Sequence, residues 1–244
     1  MFASHANRNW PPPARPWNMA MTWHDLLFAH WRVPEAALRP HIPDRLQIDR
    51  HEDRAWLGIV PFGMSGTRPR WMPAGGLFAF PEINVRTYVV ADGKPGVWFF
   101  SLDAASWLAV RGARMLYHLR YYDARMSLER DAEGWVHYRS RRTHRGAPAA
   151  EFSARYRPVG DVYTSAPGTL ESWLTDRYCL YAADGRGRVY RGEIHHPPWP
   201  LQQAEAQWER NTMSEPLGIT LPAEQPLLHF SARLDVVGWG LERL

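Results

Sequence analysis

Residues 81–104, PEINVRTYVVADGKPGVWFFSLDA, contain two runs of strand-like alternation joined by an Asp-Gly turn, the local pattern of a β-hairpin. In the first run Ile83, Val85, Thr87 and Val89 fall on one face and Glu82, Asn84, Arg86 and Tyr88 on the other, because side chains alternate along an extended chain. The first set is ordinary core. The second, an acid, an amide, a guanidinium and a phenol in one row, fits either a solvated sheet face or the wall of a polar pocket.

The rest of the chain repeats this grammar. Strands are expected over 21–32, at LQID (46–49) and AWLGIVPFGM (55–64) as a hairpin, at about 121–129, 135–142 and 150–157, and as a hairpin of RYCLYAAD with RVYRGEIHH across GRG. LLHFSARLDVVGW (227–239) is the expected final strand. Short helices are expected at VPEAALRPHIP (33–43) and at TLESWLTDRY (169–178), the latter with Thr169 as cap and Ser172 to Leu174 inward. Longer helices are expected at AASWLAVRGARMLY (104–117), capped by Asp103, and at PLQQAEAQWERN (200–211). Strands outnumber helices and short turns join most neighbours. The reading is an α+β domain dominated by a curved or barrel-like antiparallel sheet with a few packed helices.

A length of 244 residues without a Gly/Ser or charge-rich break favours one domain over 17–244, preceded by an extended Pro-rich leader over 1–16 that includes NWPPPARPW. The formal charge of +4 arises from 29 basic and 25 acidic residues that are interleaved, so no basic stripe suited to nucleic acid emerges. The densest cluster, RSRRTHR at 139–145, reads as a solvated edge strand. A single cysteine, Cys179, forms no intramolecular disulfide and reads as a small apolar core residue. No apolar run reaches the roughly 18–20 residues that span a bilayer, and the N-terminus lacks a signal-peptide pattern, so a cytoplasmic protein with neither membrane nor nucleic-acid partners is expected.

Five segments, DLLFAHWRVP (25–34), FPEINVRTYV (80–89), KPGVWFFSLDA (94–104), LTDRYCLY (174–181) and EIHHPPWPL (193–201), together with LHFSARLDVV near the end, resemble the YqjF-like bacterial family, a domain of unknown function related to the acetoacetate decarboxylase superfamily. The resemblance runs from about Trp17 to the C-terminus. It implies a cone-shaped antiparallel β-barrel with an internal ligand cavity. In the decarboxylases a buried lysine of depressed pKa forms a Schiff base with a β-keto acid. Here the only lysine, Lys94, stands in DGKPG, a turn, so Schiff-base decarboxylation is not expected to transfer. Arg120, where relatives tend to show Pro before the Tyr, marks a further departure.

Inside a cone the polar face of the first strand would meet the cavity. Glu82 and Asp103 are the catalytic candidates, as carboxylates able to act as general acid or base, with Arg86 holding an anionic group. Asn84, Tyr88, Ser101, Tyr121, Arg177, Tyr178 and His195 complete the ligand-binding candidates. On the second strand Ser101 and Asp103 take one alternation and Trp98, Phe100 and Leu102 the other. His24 and His30 are expected to share a face too far apart to ligate one metal, and of His195 and His196 at most one enters a site. No HxH, HExxH, CxxC, GxGxxG or P-loop signature occurs, so neither a metal nor a nucleotide cofactor is expected. The expected ligand is a small carboxylate or keto acid, bound either by a lyase-like enzyme or by a carrier or sensor using the same cavity. A homo-oligomer is compatible with either reading.

Overall fold

A computed structural model describes residues 8–73, 78–106, 111 and 117–244. Strand follows strand along the chain: β1 (Met19–Val33), β2 (Gln47–Ile48), β3 (Ala55–Pro69), β4 (Phe78–Ala91), β5 (Lys94–Ala104), β6 (Tyr121–Arg130), β7 (Val136–Arg142), β8 (Glu151–Tyr163), β9 (Cys179–Ala183), β10 (Val189–His195), β11 (Leu201–Asn211), β12 (Leu227–Gly238) and β13 (Glu242–Arg243). Helix among the described residues comprises α1 (Glu35–Leu38), α2 (Leu170–Thr175), two 3-10 turns, and the helical residues Arg111 and Tyr117. All thirteen strands join one sheet in the order β13-β10-β9-β5-β6-β7-β8-β11-β12-β1-β3-β4-β2, and the further pairings β4 with β5 and β10 with β12 bring it back on itself. The α+β, mainly antiparallel curved sheet expected from the sequence is the architecture found.

The β4–β5 hairpin turns at Asp92 and Gly93, both at positive φ, so Ala91 faces Lys94 across a two-residue loop of the kind that matches strand twist. The hairpin β9–β10 and the Thr169 cap of α2, whose side chain accepts from the Ser172 amide at 3.3 Å, also follow the sequence. Three buried clusters flank the sheet, the smallest made of Trp56, Tyr88, Val97 and Leu174. Of the two larger ones, Ile83, Val85 and Val89 join one with Leu27, Trp98 and Phe230, while the other gathers Leu26, Phe28, Phe62, Phe80 and Trp199 beside the cavity described below.

Several expectations change. β7, which holds the first part of RSRRTHR, is an interior strand between β6 and β8 and not a solvated edge, with Ser140 and Arg142 buried. PLQQAEAQWERN is a strand, β11, paired with β8 and β12. Its Ala, Gln and Glu content favours helix locally, but Ala204, Ala206 and Trp208 reach the core on alternate positions while Glu205 and Gln207 bind Arg157 and Arg155 of β8, and these cross-strand pairs decide the outcome. LQID does not pair with AWLGIVPFGM: β2 pairs with β4, Gln47 to Val90 and Ile48 to Val89. Asp103 caps no helix, since it lies within β5, and most of the helix expected over 104–117 falls outside the described residues. The strand at 227–239 is followed by the two-residue β13.

Two irregularities reset the alternation of faces. In β1 the pairing with β3 shifts by one residue between His24 and Ala29, and Asp25 has φ of 50°. His24 and His30 therefore do not share an environment: His24 is half-buried against Gly63 and bonds Asp25, whereas His30 is sealed against Tyr88. In β5, Val85 pairs with Ser101 but Arg86 pairs with Phe99, so Phe100 is an extra residue, a β-bulge.

The N-terminal stretch from Arg8 to Trp10 packs against β10: the Arg8 guanidinium bonds Glu193 and the Ile194 carbonyl, and the Trp10 indole donates to Glu193 at 3.0 Å. No helix among the described residues is long and apolar enough to cross a membrane.

Candidate functional site

A cavity of about 310 Å3 opens beside β1, β3, β4 and β5. Its wall is mostly apolar, with Phe62, Phe80, Phe99, Leu102 and Trp199 prominent among the lining side chains. Polar groups enter from one strand above all: Glu82, Asn84 and Arg86 of β4 face it, joined by Tyr121 from the start of β6, Arg177 from the segment after α2, and His196 after β10. The alternating polar face of PEINVRTYVV thus borders a cavity rather than bulk water.

Glu82 is almost wholly buried, and the Tyr121 hydroxyl donates to its Oε2 at 2.9 Å. Burial in apolar surroundings penalises the carboxylate and raises the pKa to about 8, Asp103 adds to the rise, and the Tyr121 hydrogen bond opposes it. At pH 7 the Glu82 carboxyl is therefore mainly protonated.

Arg86, half-buried, behaves differently from the buried arginines Arg142 and Arg177. Its guanidinium lies over the rings of Phe28 and Tyr88, at 5.2 and 5.8 Å, with one long contact to the Leu174 carbonyl at 3.4 Å. Among the described residues no carboxylate lies within ion-pair distance of it, and its Nε is buried without a hydrogen-bond partner. Gly58, which pairs with Arg86 across β3 and β4, makes this packing feasible: a Cβ there would meet the His30 ring at 3.1 Å and Cγ of Arg86 at 3.3 Å. The Oδ1 of Asn84 is likewise buried without a partner.

Arg177 is anchored instead. It donates to Asp49 at 2.6 Å and to the Trp173 carbonyl at 2.6 Å, and it stacks over Trp173 and Tyr88, yet its Nη2 has no partner. Burial holds its pKa below the ordinary arginine value despite the Asp49 charge. His196 donates through Nδ1 to the Pro197 carbonyl at 2.7 Å, and burial lowers its pKa to about 4, so it faces the cavity as a neutral ring.

Five candidate residues come together at the cavity: Glu82, Asn84, Arg86, Tyr121 and Arg177. The others do not line it. Asp103 lies behind β5, held by Arg142 through two hydrogen bonds of 2.9 and 2.8 Å, and burial raises its pKa against the pull of that partner. Ser101 shares its face, because the bulge at Phe100 keeps Ser101 opposite Val85 and turns Phe99, not Phe100, toward the cavity. Tyr88 is fully buried behind Arg86. Its hydroxyl donates to the Leu174 carbonyl at 2.9 Å and meets His30 Nε2 at 2.6 Å; with one proton on the hydroxyl, His30 must be the donor there. Tyr178 stacks on His196 at 4.7 Å and on His195 at 6.1 Å, and neither Tyr178 nor His195 lines the cavity. His196, Trp23 and Trp199 were not among the sequence candidates. The rigid PPW corner after His196 is the signal that could have brought it in, since it fixes which histidine of the pair turns inward.

Lys94 begins β5 outside the cavity and donates to Glu193 Oε1 at 2.7 Å. Cys179 is buried nearby, its thiol pushed up to about 12 by desolvation, a setting that disfavours a reactive thiolate. No group of three or more metal-ligating side chains occurs among the described residues.

The family model DUF2071, described as an uncharacterized conserved protein, matches residues 20–235. The chain belongs to the DUF2071 family. Within that family it is 44% identical over 228 residues to the uncharacterized protein YqjF of Bacillus subtilis strain 168, a match covering 93% of each chain. Solved structures of similar fold are far more distant in sequence. The enduracididine biosynthesis enzyme MppR, bound to the condensation product of pyruvate and imidazole 4-carboxaldehyde, superposes with a TM-score of 0.65 at 10% identity, covering 94% of this chain and 90% of that one. The acetoacetate decarboxylase of Legionella pneumophila superposes with a TM-score of 0.58 at 11% identity, covering 98% and 93%. This DUF2071 chain therefore has the acetoacetate-decarboxylase-like fold.

Proposed function

We propose that the cavity binds a small carboxylate of the keto-acid class through Arg86, and that Glu82 acts on it as a general acid and base without a Schiff-base lysine. The observation that carries this reading is the guanidinium of Arg86, half-buried on the wall of a mostly apolar cavity, with no carboxylate within ion-pair distance among the described residues and its Nε without a hydrogen-bond partner. A desolvated cation without a counter-ion is costly, and an anionic ligand supplies the missing bidentate partner. Asn84 and Arg177 add two further orphan polar atoms on the same wall. The solved structure of MppR with pyruvate gives a precedent for keto-acid binding on this fold.

A carboxyl with a pKa near 8 suits proton transfer at neutral pH. In this reading neutral Glu82 gives its proton to the ligand's carbonyl oxygen while a water takes a proton from the carbon beside the carbonyl; the C–H electrons form the carbon–carbon double bond and the carbonyl electrons move onto the oxygen, giving the enol. The carboxylate left behind accepts the Tyr121 hydroxyl hydrogen bond, and the proton later returns along the same path. The sole lysine is engaged by Glu193 outside the cavity wall, so the carbonyl is activated by hydrogen bonding alone.

Titration of pyruvate and longer 2-oxo acids, followed by tryptophan fluorescence, tests the anion site: Arg86→Ala should weaken binding by roughly thirtyfold or more, the effect of removing one partner from a desolvated charge pair. Unchanged affinity in that variant would sink the proposal. For the catalytic half, Glu82→Gln should abolish proton exchange at the carbon beside the carbonyl while binding persists. If the wild type exchanges no proton, the cavity is that of a carrier or sensor.

A further inference from the structure

The cavity's charged groups are not spread evenly along its wall. Along β4 the lining residues are Arg86, Asn84, Glu82 and then Phe80. The strand register places Met64 opposite Phe80 and Trp23 opposite Met64, and Met21 and Met19 continue the same wall along β1. From Arg86 to Phe80 the strand advances six residues, about 20 Å at the usual rise per residue. An oxo-carboxylate head engaging Arg86 and Glu82 leaves the methionine end unfilled. That end is walled mainly by apolar side chains, with Thr67 Oγ1 and Trp23 Nε1 as its polar atoms, so a mainly apolar guest suits it.

We infer that the ligand is amphipathic, a 2-oxo or 3-oxo acid whose alkyl tail runs from the Arg86 end along Phe62, Met64 and Met21. This rests on the anion site proposed above and adds the class of ligand. Volume supports it: 310 Å3 is about ten times the volume share of one water, room for about ten non-hydrogen atoms, whereas pyruvate has six. Wall chemistry supports it independently. Met19, Met21 and Met64 are unbranched and polarizable, the side chains that adapt to a flexible chain rather than to one rigid outline.

The test is a chain-length series, pyruvate, 2-oxobutanoate, 2-oxopentanoate, 2-oxohexanoate and 2-oxooctanoate, with Kd read from the fluorescence of the cavity tryptophans in the full-length protein. Each added methylene should tighten binding about fourfold, so that 2-oxooctanoate, with five more methylenes, exceeds pyruvate by about a thousandfold. Met21→Trp, which fills the apolar end, should remove the gain for the longer acids. A series flat to within about threefold in the wild type, with binding still dependent on Arg86, would overturn the tail and leave the anion site standing. If 1-octanol binds as tightly as octanoate, the anionic head is overturned instead. The length series uses the unaltered protein, so the outcome does not depend on the variant folding.

Discussion

The two faces of the β4–β5 ribbon each hold an acid and an arginine, and they are wired in opposite ways. Behind the ribbon Asp103 and Arg142 meet in a bidentate contact with both side chains almost fully removed from water. On the cavity face Glu82 and Arg86, two pleats apart on one strand, do not pair: Glu82 takes a hydrogen bond from Tyr121, and Arg86 has only aromatic faces and a distant carbonyl. Charge behind the ribbon is satisfied within the chain. Charge in the cavity is left for something that is not part of the chain, which separates a structural arginine from a binding one without appeal to either residue's identity.

Arg142→Met should produce the largest change, a loss of roughly 3–5 kcal/mol in unfolding free energy, because it leaves the Asp103 carboxylate buried and uncompensated. Chemical denaturation would read it. Glu82→Gln should act with the opposite sign. The folded pKa near 8 stands above the unfolded value of 4.5, so the folded state holds the extra proton, and its stability falls as pH rises from about 4.5 through 8. The variant should flatten that slope and stabilise the protein at pH 8 by roughly 1–3 kcal/mol; a wild-type stability curve already flat across this window would mean that Glu82 titrates normally. Anion affinity should also fall as pH rises through about 8 in the wild type, and not in Glu82→Gln. Arg86→Met should change stability by no more than about 1 kcal/mol, since it removes a buried charge that has no internal partner, while abolishing the anion preference. A loss as large as that of Arg142→Met would erase the distinction between the faces. Tyr121→Phe should cost on the order of 0.5–1.5 kcal/mol, with the pH midpoint of Glu82 moving further upward because a hydrogen bond that favours the carboxylate is gone.

What could be read from residue order was local. The β4–β5 hairpin, its Asp-Gly turn and the polar face of Glu82, Asn84 and Arg86 follow from period-two alternation and turn chemistry alone. What could not be read required contacts between distant positions. β11 has the composition of a helix and becomes a strand because β8 lies beside it. Asp103 looks like a cavity acid until Arg142, 39 residues away, claims it. The short β2 finds β4 and skips the β3 that follows it. Sequence alone also treated β5 as one unbroken alternation, and it is not.

That last point reaches beyond this molecule. The ribbon is read in two frames that change at Phe100: before it Val97 and Phe99 border the cavity, after it Leu102 does. When a chain that lacks the extra residue is aligned to this one, leaving out the gap at Phe100 exchanges cavity residues for core residues in the columns that follow it in β5. That gap, more than any percentage of identity, decides which side chains of a relative are compared with Leu102 and which with Asp103.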